Sequence, residues 1–209
     1  MKTIEQQRAY FALKCVERVK ILVEENKWFE FENGDFKKQI FLSSQNIDLS
    51  ELKKWSQRGG VGEILWNNID KELKNKFKGN KQILEDWKNF KENKSFPSQL
   101  LEEAYRQISV SFKKDLKKDY ASHAKKLPQL IVSNGLVPTL AFYKSKGKER
   151  MQIYLDLELW LKYKNFIQGN HLLEYLLTSD ANWLRVITVE SLAFSQWLKR
   201  MAEVELKEE

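Results

Sequence analysis

Apolar side chains recur along this chain at spacings of three and four, the period of helices packed on one side. Ala12, Val16, Val19 and Val23 repeat at 4, 3 and 4, and Ile4, Phe11, Cys15 and Leu22 widen the stripe, so residues 3–25 read as a first amphipathic helix. Thr3 and Gln6 stand at capping-box spacing at its start. Pro97 suits the first turn of a second long helix, on which Leu101, Tyr105, Ile108, Phe112, Leu116 and Tyr120 form one face. Pro128 predicts a break, and the residue before it is biased away from helix. A further stretch over about 129–145 has Asn134-Gly135 and Pro138 in its middle, which predicts a kink or short loop. Ile153, Leu157, Trp160 and Leu161 mark a buried stripe over 150–165, and 171–177 reads as a short apolar helix. Thr178 or Ser179 is placed to cap a last helix, faced by Trp183, Ile187, Phe194, Trp197, Leu198 and Met201. The acidic tail 203–209 is expected to fray.

Residues 27–98 have a different rhythm. Asn33-Gly34 lies between Phe31 and Phe36, a hairpin or turn signal. Asp48 is placed to cap a helix over 49–57, with Gly59-Gly60 as its stop. Ile64, Ile69, Leu73 and Phe77 predict a helix over about 63–77, and Ile83, Trp87 and Phe90 another before Asn93. Four of the seven tryptophans, Trp28, Trp55, Trp66 and Trp87, fall here among lysines. These read as short amphipathic helices packed on the body; the sharper alternative is base stacking with phosphate contact.

Composition narrows the class. Only 8 Gly and 3 Pro in 209 residues disfavour a turn-rich β fold. The expected fold is all-α: a compact bundle of about five to six core helices from 1–26 and 99–205, with 27–98 as a mostly helical insertion, in a single domain over 1–209. The lone Cys15, on the buried stripe, excludes an internal disulfide and a cysteine zinc site. No apolar run approaches the roughly 20 residues that span a bilayer, and the first 25 residues mix both charge signs, so neither a membrane span nor a signal peptide is expected. A cytoplasmic location follows from this reading.

Charge changes the picture more. The net +7 is matched by residues 113–150 alone, which hold ten basic and three acidic side chains. Such a local imbalance is the footprint of a polyanion partner. On a helix through this segment Lys113, Lys114, Lys117, Lys118 and Lys125 fall opposite the apolar face, with Asp115 and Asp119 at one edge. Lys126, Lys144, Lys146, Lys148 and Arg150 continue the basic run. A solvated lysine face is the plainer account of the same pattern. Lysines read phosphates more than base edges, which weighs against a DNA-binding regulator with a recognition helix.

Catalytic patterns are missing. There is no phosphate-binding glycine loop, and His123 and His171 are not at ligand spacing. Asp156 and Glu158 are a carboxylate pair placed by this reading on a charged surface helix. A helical nuclease is supported by the basic surface alone. No catalytic residue, cofactor or metal is assigned.

Two segments go beyond generic helix. The first is Lys125-Lys126-Leu127-Pro128, Ile131, Asn134-Gly135-Leu136, Thr139-Leu140-Ala141-Phe142 and Lys144-Ser145-Lys146-Gly147. The second is Arg185, Thr188, Glu190, Leu192-Ala193-Phe194, Trp197-Leu198-Lys199-Arg200 and Ala202-Glu203. In this order they resemble the small all-helical subunit of the type III-B CRISPR–Cas effector, the Cmr complex. Glu5-Gln6, Arg8-Ala9 and Ala12 resemble that family's first helix. The family joins its first helix to the Lys-Lys-Leu-Pro helix by a much shorter connection, so 27–98 is a departure. The resemblance implies a non-catalytic subunit that stacks with copies of itself beside other Cmr effector subunits. It implies crRNA and target RNA as partners, with no membrane. It adds Lys199 and Arg200 as candidate RNA contacts, although charge at a helix end is their plainer explanation.

Overall fold

A computed structural model describes residues 2–25, 27–32, 34–41, 48–108, 115–146, 148–169 and 171–207. Helix α1 spans Ile4–Glu25. Its capping box is formed: the Thr3 N–H donates to Gln6 Oε1 at 2.9 Å and the Gln6 N–H donates to Thr3 Oγ1 at 3.2 Å. Phe11, Ala12, Cys15, Val16, Val19 and Leu22 are buried, while Ile4 at the capped end is exposed. An antiparallel hairpin follows, β1 (Lys27–Glu32) with β2 (Asp35–Phe41), turning at Gly34 with its φ of 89°.

Asp48 caps α2 (Leu49–Ser56) by accepting from the Ser50 N–H at 2.6 Å. The glycine pair does not end this helix. Gln57 is its C-cap, and Gly59 and Gly60, both at positive φ, start α3 (Gly60–Lys76). A Cβ on Gly60 would stand 2.7 Å from Gln152 Oε1, so the pair serves a close helix–helix approach. Asn80 caps α4 (Lys81–Lys91).

Ser98, not Pro97, begins α5 (Gln99–Gln107): its Oγ accepts from the Leu101 N–H at 3.1 Å and donates to Asp86 at 2.7 Å. The apolar spacing from Leu101 to Tyr120 does not mark one helix. Ile108 is extended, and α6 (Asp115–Asn134) begins anew. Pro128 lies inside α6 and does not break it. It withdraws one donor, while buried Leu127 and Ile131 beside it hold the helix against the body. The break comes at Gly135, with a φ of 85°, which opens α7 (Leu136–Ser145).

Helix α8 spans Lys148–Tyr163 and α9 spans Leu172–Thr178. Thr178 and Ser179 close α9 by donating to Glu174 and Tyr175 carbonyls, so the cap of α10 (Ala181–Glu205) falls to Asp180. The helix continues to Glu205, and Leu206 is buried, so the tail is anchored that far.

The described residues thus form ten helices and one hairpin, the expected α class. Helix α10 packs along α1 and α6, α8 packs on α3, α6 and α7, and α1 supports β1. Phe11 meets Phe31 and Phe36 of the hairpin edge-on and also Trp160 and Phe194, which stack at 5.2 Å. Hairpin and helices therefore share one aromatic cluster. Trp87 is buried and its indole N–H donates to Asp70 at 2.7 Å.

Asp156 and Glu158 are not on a surface. Helix α8 runs through the interior and both carboxylates are buried. Asp156 accepts from the Tyr120 hydroxyl at 2.6 Å, from the Gln152 amide at 2.8 Å and from the Arg18 guanidinium. Gln152 Oε1 in turn accepts from the Val61 N–H at 3.2 Å. One buried carboxylate so links α1, α6 and α8 and, through Gln152, α3.

Candidate nucleic-acid interface

Helix α6 turns Leu116, Tyr120, Ala124, Leu127 and Ile131 inward. The 3.6-residue period then puts Lys118 and Lys125 outward on one line, with Lys126 beside them, and all three are exposed. Lys117 sits on the flank and pairs with Glu24 of α1. Lys113 and Lys114 lie outside the described residues. The lysine line therefore has a described half, with exposed Asp115 and Asp119 beside it.

The second basic run wraps the turn from α7 into α8. Lys144, Lys146 and Lys148 are exposed. Arg150 is half-buried, with its guanidinium over the Phe142 ring at 5.2 Å and its Nε buried without a hydrogen-bond partner among the described residues. His123 marks where the two runs meet. Burial first, and then the positive charges of Arg150 and Lys126, lower its pKa, against the pull of Asp119. The Tyr143 hydroxyl donates to the His123 carbonyl at 2.8 Å and ties α7 to α6 there. Residues distant in sequence, Lys126 and Arg150, thus flank one imidazole.

Arg200 belongs to a different neighbourhood, and Lys199 beside it on α10 is half-buried. Arg200 lies over Trp197 at 5.2 Å, and the Trp197 indole N–H donates to Glu5 of α1 at 2.6 Å. The geometry groups Arg200 with the start of α1, not with Lys126 and Arg150. His171 is exposed at the N-cap of α9. Among the described residues, no three His, Cys, Asp or Glu side chains are grouped to hold a metal, and no helix is long and apolar enough to cross a membrane.

One feature has no counterpart in the sequence pattern. A cleft of about 730 Å³ opens between the hairpin, the end of α2 and one flank of α8. Its wall is built from residues as far apart as Arg18 and His171, so no local spacing announces it.

Comparison with known proteins gives the arrangement relatives. Residues 97–205 match the family described as CRISPR-associated protein (Cas_Cmr5), a span that takes in α5 to α10 and both basic runs. The CRISPR system Cmr subunit Cmr5 of Thermotoga maritima is 31% identical over 94 residues, 44% of this chain and 70% of that protein. The protein of the same name from Thermus thermophilus is 31% identical over 108 residues, 51% of this chain and 92% of that protein.

Proposed function

The chain belongs to the Cas_Cmr5 family of CRISPR-associated proteins, and from that membership we propose that it is a non-catalytic structural subunit of a type III-B CRISPR RNA-guided antiviral effector, binding the crRNA and target RNA backbone. The observation that carries this reading is the family match over 97–205, which encloses the most basic part of the chain. Lys118, Lys125 and Lys126 are exposed on one side of α6, as phosphate contact requires. Lys144, Lys146, Lys148 and Arg150 extend the positive surface, and Lys113 and Lys114 extend the run in sequence. Base pairing between guide and target supplies the sequence reading, so a subunit that holds the backbone needs no base-specific helix.

Stacking with copies of itself and contact with other Cmr subunits require surface beyond the basic face. Exposed apolar side chains such as Leu177, Val189 and Val204 offer it. Residues 27–98 lie before the matched span except for the last two, and act in this reading as an addition to a family core formed by 1–26 and 99–205.

The test is co-purification of the tagged chain from cells carrying the effector genes. Recovery of the other subunits together with small RNA of guide length supports the reading. Recovery of the chain alone, or of a complex without RNA, overturns it.

A further inference from the structure

The cleft beside α8 has walls of two chemical kinds. One is aromatic: the indoles of Trp28 in β1 and Trp55 in α2 lie 6.1 Å apart at a tilt of 41°. Trp28 is buried, but Trp55 is only half-buried. The other is cationic: Arg58, just after α2, and Lys144, at the end of α7, are exposed and line the same cleft. Among the described residues no carboxylate pairs with either. Of the two carboxylates on the walls, Glu158 is held by Lys162, which leaves Glu30.

Arg18 completes the wall and is 5% exposed. Its guanidinium covers Trp28 at 4.3 Å and binds Asp156 through one terminal nitrogen. Its Nε is buried and has no acceptor among the described residues. The volume falls within the range of about 300–1,000 Å³ usual for small-ligand clefts. A purely anionic ligand would make no use of the indoles, and a purely apolar one would leave Arg58 and Lys144 idle. A planar base joined to a phosphate uses both, since every base has a face to stack and cations add to that contact.

We infer that this cleft binds one unpaired ribonucleotide, its base against Trp55 and its phosphate between Arg58 and Lys144. The inference deepens the RNA-binding reading and rests on it for the source of the nucleotide, a single-stranded stretch of a bound RNA. The site is separate from the α6 lysines. It draws Trp28, Trp55 and Arg58 from residues 27–98, and so gives that region a task.

The test titrates the full-length protein by calorimetry with adenosine 5′-monophosphate, ribose 5-phosphate and a short single-stranded oligoribonucleotide. The nucleotide is expected to bind at least about tenfold more tightly than ribose 5-phosphate, and Trp55→Ala to weaken it about 5- to 100-fold. Arg58→Glu, at an exposed position, is expected to weaken it as well with the melting temperature unchanged. Equal binding of nucleotide and sugar phosphate, no nucleotide binding at millimolar concentration, or an unaltered Arg58→Glu titration each overturns the inference. Tighter binding of the oligoribonucleotide than of the free nucleotide supports an RNA strand as source; the reverse order overturns that assignment. Failure of the effector-subunit reading appears instead as a complex recovered without RNA, which leaves the mononucleotide titration as it is.

Discussion

Arg8 grips Glu190 across the molecule, its Nε on Oε1 at 2.9 Å and a terminal nitrogen on Oε2 at 2.5 Å. The Trp160 indole N–H donates to the same Oε1 at 2.9 Å. Both residues belong to the segments that resemble the Cmr subunit family, yet neither faces outward: the side chains are 12% and 7% exposed. Their task is to fasten α1 to α10 against α8. Hydrogen bonding by Glu190 keeps the Arg8 pKa above its ordinary value despite burial. Arg8→Ala leaves a buried carboxylate with one partner fewer and is expected to cost about 3–5 kcal/mol in urea unfolding. Glu190→Ala should cost a similar amount, and the double variant clearly less than the sum. Additive losses would contradict the pairing.

Asp156 is the second interior fastener. Replacing it with Ala strands Arg18 and unties Tyr120 and Gln152, and the same range of about 3–5 kcal/mol is expected. Tyr120→Phe removes one bond to a charged group and should cost about 1.5–3 kcal/mol. A Tyr120→Phe variant as stable as the parent would show that its hydroxyl does not support the carboxylate.

Much of this architecture is legible in the sequence, and what is not shares a physical cause. Local signals hold: the Thr3–Gln6 box, the turn at Gly34, the Asp48 cap and the inward stripe of α1 depend on neighbours within a few residues. Periodicity also places Lys118 and Lys125 outward. It fails where distant partners decide. Pro128 stays helical because buried residues beside it hold α6 down. Asp156 is interior because Arg18 and Tyr120 reach it from other helices. Gly59-Gly60 opens a helix because Gln152, far along the chain, presses against it. The cleft has no local signature for the same reason.

Acid stability should depend on Asp70. Burial alone would raise its pKa, but hydrogen bonds from Lys74, Lys91 and Trp87 outweigh this and hold it at about 2, below the ordinary 3.8. A folded pKa below the unfolded one contributes stability above the unfolded value and loses it as pH falls toward 2. The shift corresponds to about 2 kcal/mol. Asp70→Asn should therefore lower stability at pH 7 and flatten its fall between pH 4 and 2, read from urea midpoints. A parent-like acid slope in the variant would contradict the assignment.

The alkaline side runs the other way. Burial pushes the Tyr105, Tyr143 and Tyr154 hydroxyls up to about 12 from an ordinary 10. A folded pKa above the unfolded one gives stability that is complete below pH 10 and is lost as pH rises toward 12. The chain should unfold in that window together with the absorbance rise of ionised tyrosine. An absorbance rise ahead of unfolding that Tyr105→Phe, Tyr143→Phe or Tyr154→Phe diminishes would show that ring to be open to solvent, the exposed Tyr10 and Tyr163 contributing equally in parent and variant.

Gly60 offers a test of the contact between α3 and α8. Its φ of 61° strains any side chain, and a Cβ would stand 2.7 Å from Gln152 Oε1 and 3.3 Å from the residue 152 backbone. Gly60→Ala is expected to cost roughly 1–3 kcal/mol. Gly79→Ala, where a Cβ meets nothing within 4 Å, is the control expected to change little. Equal effects at the two glycines would mean that the approach of α3 to α8 is not tight.

The basic face makes the last prediction. Lys118→Glu, Lys125→Glu and Lys126→Glu together reverse three exposed charges on α6 without touching its buried face. The fold should be kept, with a melting temperature close to the parent's. Capture of target RNA by the assembled complex should weaken, and most at low salt, because each phosphate left without its lysine keeps its counterions on binding. For single-stranded RNA the slope of log affinity against log salt should fall by about 0.7 for each phosphate no longer neutralised. Lys117→Glu is the informative comparison. Lys117 already pairs with Glu24, so its reversal places two negative charges together and should disturb the packing of α1 on α6 more than RNA binding. An unchanged salt slope in the triple variant would remove this face of α6 from the RNA path.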